Sequence, residues 1–198
     1  MPKTLHRIDY QLIMELVDSG SLVLDLGCGD GSLLEMLIAE KGVKGFGLEK
    51  DLQEINKCLA KGISVIDANL DQGLTQFRDK SMDYVILSLT LQALKQPHET
   101  LRDIIRVGKK AIISFPNFGN IFVRLYLLFR GRMPKSKFLP YEWYDTPNIH
   151  FCSVKDFIGL CQKEGIKIRK KIFLRKFNRK ILGFMPNLFS YVAIFVLE

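Results

Sequence analysis

The sequence predicts an α/β fold built on a doubly wound, mostly parallel sheet of seven strands. Three observations carry this expectation. Short, nearly continuous apolar runs alternate with segments whose apolar residues recur at helical spacing. The first apolar run, "LVLDL", ends in the glycine-rich turn "GCGDG". An acidic residue, Glu49, closes the second run 18 residues beyond Gly31. At 198 residues with 47% hydrophobic side chains, the chain can bury one core but is short for two, so a single domain over 1–198 is expected.

Each element follows from a local pattern. Residues 8–18, "IDYQLIMELVD", place Ile8, Leu12 and Leu16 at helical spacing and stop at "SGS", a turn signal. "LVLDL" is a buried strand by its length and flanking glycines. Ser32 to Lys41 reads as a helix with Leu33, Leu34, Leu37 and Ile38 inward, stopped by Gly42. "VKGFGLE" is the second strand, and Asp51 to Lys61 a helix with its acidic residue in front and Gly62 behind. "ISVID" and "MDYVILSL" are strands three and four, "PHETLRDIIRV" a helix with Pro97 in its first turn, and "KKAIISF" the fifth strand.

The alternation breaks after Phe115. Residues 116–152 offer one helical candidate, "NIFVRLYLLFRG", followed by "RMPKSKFLPYEWYDTPN". Segments of that length inside a compact domain are lids, binding segments or disordered, and the density of aromatics argues against disorder. A lid or insertion is therefore expected there. "SVKDFIGLCQKEG" is a helix with Ser153 as N-cap and Gly165 just past its end. Two strand-like runs, "IKIRKKIFL" and "FSYVAIFVL", close the chain; the first alternates Ile166 and Ile168 with Lys167 and Arg169.

Composition bounds the chemistry. Cys28, Cys58, Cys152 and Cys161 form no C-x-x-C pair, and His6, His98 and His150 are dispersed, so neither a disulfide framework nor a metal site is expected. The opening "MPKTLHRIDYQ" lacks a continuous apolar region and no apolar run reaches a membrane span; a soluble, cytoplasmic protein is the expectation. The net charge of +8 is uneven, with 17 Lys/Arg against 4 Asp/Glu over residues 108–180. That polarity fits an acidic partner, a nucleic acid, a membrane surface or simply a solvated face.

The glycine turn should sit at the carboxyl end of its strand, where open parallel sheets bind ligands. Bare backbone lets a ligand approach closely, and the helix starting at Ser32 adds a partial positive end. The dinucleotide fingerprint is not met, because Ser32 stands where its last glycine belongs. Asp25, two residues ahead of Gly27, would repel a pyrophosphate but favour an ammonium or sulfonium. Glu49 stands where an acidic side chain accepts both hydroxyls of a ribose. A ribose with a cationic amino acid and no phosphate describes S-adenosylmethionine.

"VLDLGCGDG" with Glu49 resembles the first motif region of class I S-adenosylmethionine-dependent methyltransferases. The resemblance implies that S-adenosylmethionine or S-adenosylhomocysteine is held by Asp25, Gly27, Cys28, Gly29, Gly31, Glu49 and Lys50. It places Asn69 where the class carries an acidic residue near the adenine amino group, with Leu70 beside it. Ser88, Leu89 and Gln92 match positions lining the methionine end and the substrate side.

The stretches "MDYVILSLTLQALKQP", "VGKKAIISFPNFGN", "VRLYLLFRGRMP" and "LPYEWYDTPNIHFCSVKDF" together resemble the methionine-biosynthesis MetW family, over about Arg7 to Leu174. The resemblance implies a methyltransferase-fold protein that supports homoserine O-acetyltransferase, with no methyl acceptor firmly attached to the family. No acid/base pair stands at readable spacing; Asn117, Tyr141, Tyr144 and His150 are the candidates for a substrate side. An active methyltransferase for a small molecule is the alternative. Transfer to RNA, prompted by "KIRKKIFLRKFNRK", is weaker, because an edge strand also favours Lys and Arg. The helix "NIFVRLYLLFRGR" pairs a broad apolar face with Arg124, Arg130 and Arg132, and fits packing over a pocket, docking on a partner or lying on a membrane.

Overall fold

The computed structural model describes residues 3–135, 139–175 and 185–198, with the backbone alone for 3–8. The end of the basic stretch "KIRKKIFLRKFNRK", from residue 176, lies outside the described residues. Seven strands, β1 (Leu22–Leu26), β2 (Lys44–Glu49), β3 (Val65–Asp67), β4 (Met82–Ser88), β5 (Gly108–Pro116), β6 (Ile168–Leu174) and β7 (Val192–Leu197), form one sheet in the order β3-β2-β1-β4-β5-β7-β6. The first five run parallel, while β7 pairs antiparallel with both β5 and β6. Strand order reverses at β1, which lies between β2 and β4, so the turn after β1 opens at the carboxyl edge of the sheet.

Side chains alternate across that sheet and divide the core in two. Val23, Ile86, Ile112 and Ile194 face one layer, packed by α1 (Lys3–Leu16), α2 (Ser32–Lys41) and Cys58 of α3 (Leu52–Ala60). Leu24, Leu26, Val85, Ile113 and Phe195 face the other, packed by α4 (Pro97–Val107) and α6 (Val154–Lys163). There Phe157 of α6 lies 4.8 Å from Phe115 and 4.7 Å from Phe195 between ring centroids. Helix α6 begins on a capping box in which Ser153 and Asp156 satisfy each other's backbone N–H groups.

Three local expectations are corrected. Ile38 is 37% exposed rather than inward. It follows Leu37 by about 100° of helical rotation, which carries it off the face that Leu33, Leu34 and Leu37 bury. The last run does not become a strand at Phe189: Pro186–Phe189 form a short helix, α7, and β7 starts at Val192. Pro186 supplies a helical first position, and Ser190 N donates back to its carbonyl. In β6 the alternation fails beyond a bulge between Ile168 and Lys170, because Ile172, Phe173 and Leu174 are all buried. The strand's second half lies between both core layers, with Phe173 in one and Ile172 and Leu174 in the other.

The stretch expected as a lid leaves the carboxyl end of β5, forms α5 (Ile121–Arg130), and shows no further regular element before α6 among the described residues. None of α5 is buried. No helix among the described residues is long and apolar enough to cross a membrane.

The aromatic triangle sets a stability test. Phe157→Ala should lower the unfolding free energy by about 3–5 kcal/mol, read as a shift in the urea midpoint with an unchanged slope.

Candidate functional site

The turn after β1 is held open by three glycines in the left-handed region, Gly27 (φ 67°), Gly29 (φ 54°) and Gly31 (φ 73°). Main-chain bonds fix its course: Gly27 N and Cys28 N both donate to Leu48 O, at 2.8 and 3.1 Å, and Gly31 N donates to Cys28 O at 3.1 Å. A Cβ on Gly27 would come 2.9 Å from Thr90 Cγ2, so the absence of a side chain is what lets the segment after β4 close onto the turn. A Cβ on Gly47 would overlap Cys28 Sγ; this strand glycine makes the room that Cys28 fills.

Glu49 ends β2 and organises the mouth. One carboxylate oxygen accepts Gly29 N at 2.9 Å; the other accepts Lys50 N at 2.8 Å and Asp51 N at 3.1 Å. A single side chain thus ties the glycine turn to the entry of α3, whose N-cap is Asp51. Asp30, inside the turn itself, performs a similar task. It accepts Ser32 N at 3.2 Å, Ser32 Oγ at 2.7 Å and Lys61 Nζ at 3.0 Å, and these bonds hold its carboxyl below the usual range against a desolvation penalty.

Asp25 is only 2% exposed. It occupies the same sheet face as Val23, a position that packing would give to an apolar residue. Burial first, and the charge of Glu49 second, push its pKa up to about 7. The site therefore stores an unfavourable carboxylate that a cation would restore to its ionised form.

Three contributors escaped the sequence reading. Tyr10 of α1 is raised in pKa by burial and then by the charges of Asp25, Asp30 and Asp9, which places its hydroxyl among the acids of the turn. Asp9, also 2% exposed, is pushed to about 7 by burial, and its Oδ2 has no hydrogen-bond partner among the described residues. The signal was readable, because Asp9, Ile13 and Val17 share one helical face, and an acid on an otherwise buried face asks for a reason. Asp67 ends β3 in register with Glu49 and so reaches the same edge of the sheet.

The remaining expected residues fall into two groups. Ser88 and Leu89 end β4 beside the turn. Ser88 Oγ lies 3.1 Å from Ser114 Oγ, and Leu89 takes a left-handed backbone (φ 53°) held by N–H donation to Ser114 O and Oγ. Asn69 caps the short turn Leu70–Gln72 by accepting Asp71 N, and Leu70 is buried. Lys50 is exposed. Gln92 joins the two regions: its Nε2 donates to Leu89 O at 2.6 Å, and its carbonyl accepts Ile149 N and His150 N at 2.8 and 3.0 Å. Gln92 Oε1 is buried with no partner among the described residues.

The substrate-side candidates are not gathered into one constellation. Asn117 is buried, its Nδ2 donates to Asn187 O, Ser190 O and Ser190 Oγ, and its Oδ1 accepts Gly119 N and Val154 N. Its amide thereby staples β5 to α6 and α7. Tyr144 is exposed and stands edge-on to Trp143; Tyr141 is also exposed. The His150 ring lies 3.4 Å from Lys95 O. Tyr141 instead lines a cavity of about 670 Å³ with Phe118, Tyr126, Arg132, Trp143 and Phe151, a space that shares no lining residue with the glycine turn.

Comparison with known proteins places this geometry. The family described as "Methionine biosynthesis protein MetW" matches residues 7–197. The bifunctional methionine biosynthesis protein MetXA/MetW of Rhodopirellula baltica is 37% identical over 175 residues, covering 84% of this chain. The chain spans 28% of that relative's length. Among solved structures, a SAM-dependent methyltransferase from Archaeoglobus fulgidus superimposes with a TM-score of 0.74 at 17% identity, over 99% of this chain and 94% of that one. Another from Thermotoga maritima gives 0.70 at 18% identity, over 97% and 88%. Identities this low establish the fold alone.

Asp25 makes the free protein pH-sensitive. Its folded pKa is raised above the unfolded value, so its contribution is fully present below about pH 4 and lost as pH rises through about 7. Asp25→Asn should accordingly be more stable than wild type at pH 8, by on the order of 1–4 kcal/mol of unfolding free energy, and so melt at higher temperature, with the gain fading towards pH 4. Thermal denaturation at the two pH values, without ligand, checks both sign and trend.

Proposed function

The chain belongs to the methionine biosynthesis protein MetW family, and from this we propose that it binds S-adenosylmethionine or S-adenosylhomocysteine at the glycine turn and acts by supporting homoserine O-acetyltransferase. The observation carrying the ligand is the buried Asp25 beside a bare backbone turn. Asp25, Asp30 and Glu49 repel a diphosphate, which argues against a dinucleotide. When bound, S-adenosylmethionine supplies an electrophilic methyl group on a permanently charged sulfonium.

The residues have separable tasks in this reading. Asp25 gives the amino-acid end a carboxylate whose burial strengthens every charge contact. The glycines let backbone meet ligand. Glu49 retains acceptor capacity beyond its main-chain bonds, which suits the two ribose hydroxyls. Asp67, in register with Glu49, extends the acidic edge towards the base.

Support for the partner role comes from two sides. The relative from Rhodopirellula baltica joins MetXA and MetW in one polypeptide. Within this chain, Asn117, Tyr144 and His150 form no acid/base pair that a methyl transfer to a poor nucleophile would need. The second reading, transfer to a small molecule, draws on the cavity beside Tyr141, Trp143 and Arg132. Turnover of S-adenosylmethionine to S-adenosylhomocysteine in cell extract, but not in buffer, would favour it.

Calorimetric titration tests the site. Wild type should bind S-adenosylmethionine or S-adenosylhomocysteine and not NAD, with affinity rising with pH through about 7 as Asp25 ionises. Asp25→Asn and Glu49→Ala should each weaken binding by about 1–3 kcal/mol, the scale of a hydrogen bond to a charged group. Wild-type affinity in both variants would refute the assignment. For the partner role, adding the chain to purified homoserine O-acetyltransferase should change that enzyme's rate; no complex and no change with either ligand present would refute it.

A further inference from the structure

Helix α5 contradicts ordinary burial. It reads IFVRLYLLFR, yet none of its ten residues is buried. Leu128 and Phe129 are 74% and 77% exposed. Eleven of the sixteen exposed large apolar side chains among the described residues lie between Phe122 and Phe151, while the other five are scattered. Five of the eleven form one wall, in which Tyr126 of α5 meets Met133, Tyr141, Trp143 and Phe151, and Phe118 packs on Phe151 at 4.5 Å; Phe129 follows Tyr126 by three residues and so lies on the same side of α5. Contiguous apolar surface of this kind marks an interaction site rather than a solvated face.

Charge narrows the occupant. Among the described residues, Arg132 on the cavity wall and Arg130, one helical turn from Tyr126, have no carboxylate paired to them, whereas Lys135 is matched by Glu142. The rim is thus short of negative charge, which an acidic protein surface would supply. A lipid bilayer fits less well. The surface is concave around a cavity of about 670 Å³, a shape that a protein protrusion fills and a flat bilayer does not. A partner protein with an apolar centre and acidic rim satisfies both features.

The relative that carries MetXA and MetW in one polypeptide indicates which protein that is. We propose that the face formed by α5 with residues 133–135 and 139–151 is the docking surface for the acyltransferase, with Phe129 and Trp143 as apolar anchors and Arg130 and Arg132 meeting acidic side chains. The inference rests on the partner role proposed above and adds its location. That location also gives the joint at Gln92 a consequence: the surface is tied through Ile149 and His150 to Gln92, and through Gln92 to Leu89 at the end of β4.

The test mixes the full chain with purified homoserine O-acetyltransferase and measures association by sedimentation. Phe129→Glu and Trp143→Glu replace side chains that already face solvent, so each should melt as wild type does and keep its affinity for S-adenosylhomocysteine. Each should weaken the complex at least about tenfold, and Arg130→Glu should reduce it and flatten its dependence on salt. Equal binding by wild type and both glutamate variants would overturn the surface and leave the partner role standing. No binding by wild type would overturn the partner role and the surface with it. Wild-type binding to vesicles of phosphatidylcholine and phosphatidylglycerol, lost in Phe129→Glu while acyltransferase binding is unchanged, would assign the face to membranes and also overturn the proposal.

Discussion

The closure of the glycine turn onto β2 is the constraint on which the candidate site depends. Two backbone N–H groups share Leu48 O, a third is taken by Glu49, and three left-handed glycines make that path available without steric cost. The same carboxylate holds the entry of α3 through Lys50 N and Asp51 N. Turn, strand end and helix start therefore move as one body. Preorganisation of this kind spares a ligand the entropy of ordering the loop on arrival.

Around that rigid turn the fold accepts electrostatic cost. Asp25 and Asp9 are acids in positions where burial opposes their ionised forms, and Tyr10 lies within the field of both. A folded chain selected only for stability would place apolar groups there. The cost becomes intelligible if a cationic ligand offsets part of it, since the penalty on an isolated carboxylate is what makes its pairing with a cation strong. Leu89 at the end of β4, beside the turn, adopts a left-handed backbone, as Lys80 and Met185 do elsewhere in the chain.

The carboxyl edge of the sheet and the aromatic surface are two distinct regions joined by a short connection. Thr90 packs against Gly27, and Gln92 two residues later accepts both backbone donors of Ile149 and His150.

Much of this was legible before any coordinates. The alternation of apolar runs and helical spacings determined the seven strands and the parallel sheet, because burial on both faces leaves near-continuous apolar strands. Asp25, the glycines and Glu49 were legible because their chemistry is local: strand end, turn and acidic residue are close in sequence. What only the tertiary structure decided was longer in range. In β6 it was the bulge between Ile168 and Lys170, where the alternating half gives way to the doubly buried run Ile172 to Leu174, that pairing with β7 decided. Asn117 became a staple for Ser190 and Asn187, some seventy positions away, and Tyr10 came to the turn only when α1 packed across β1. Periodicity and spacing report how a segment relates to its own neighbours along the chain, whereas which distant segment meets it is set by packing the whole core.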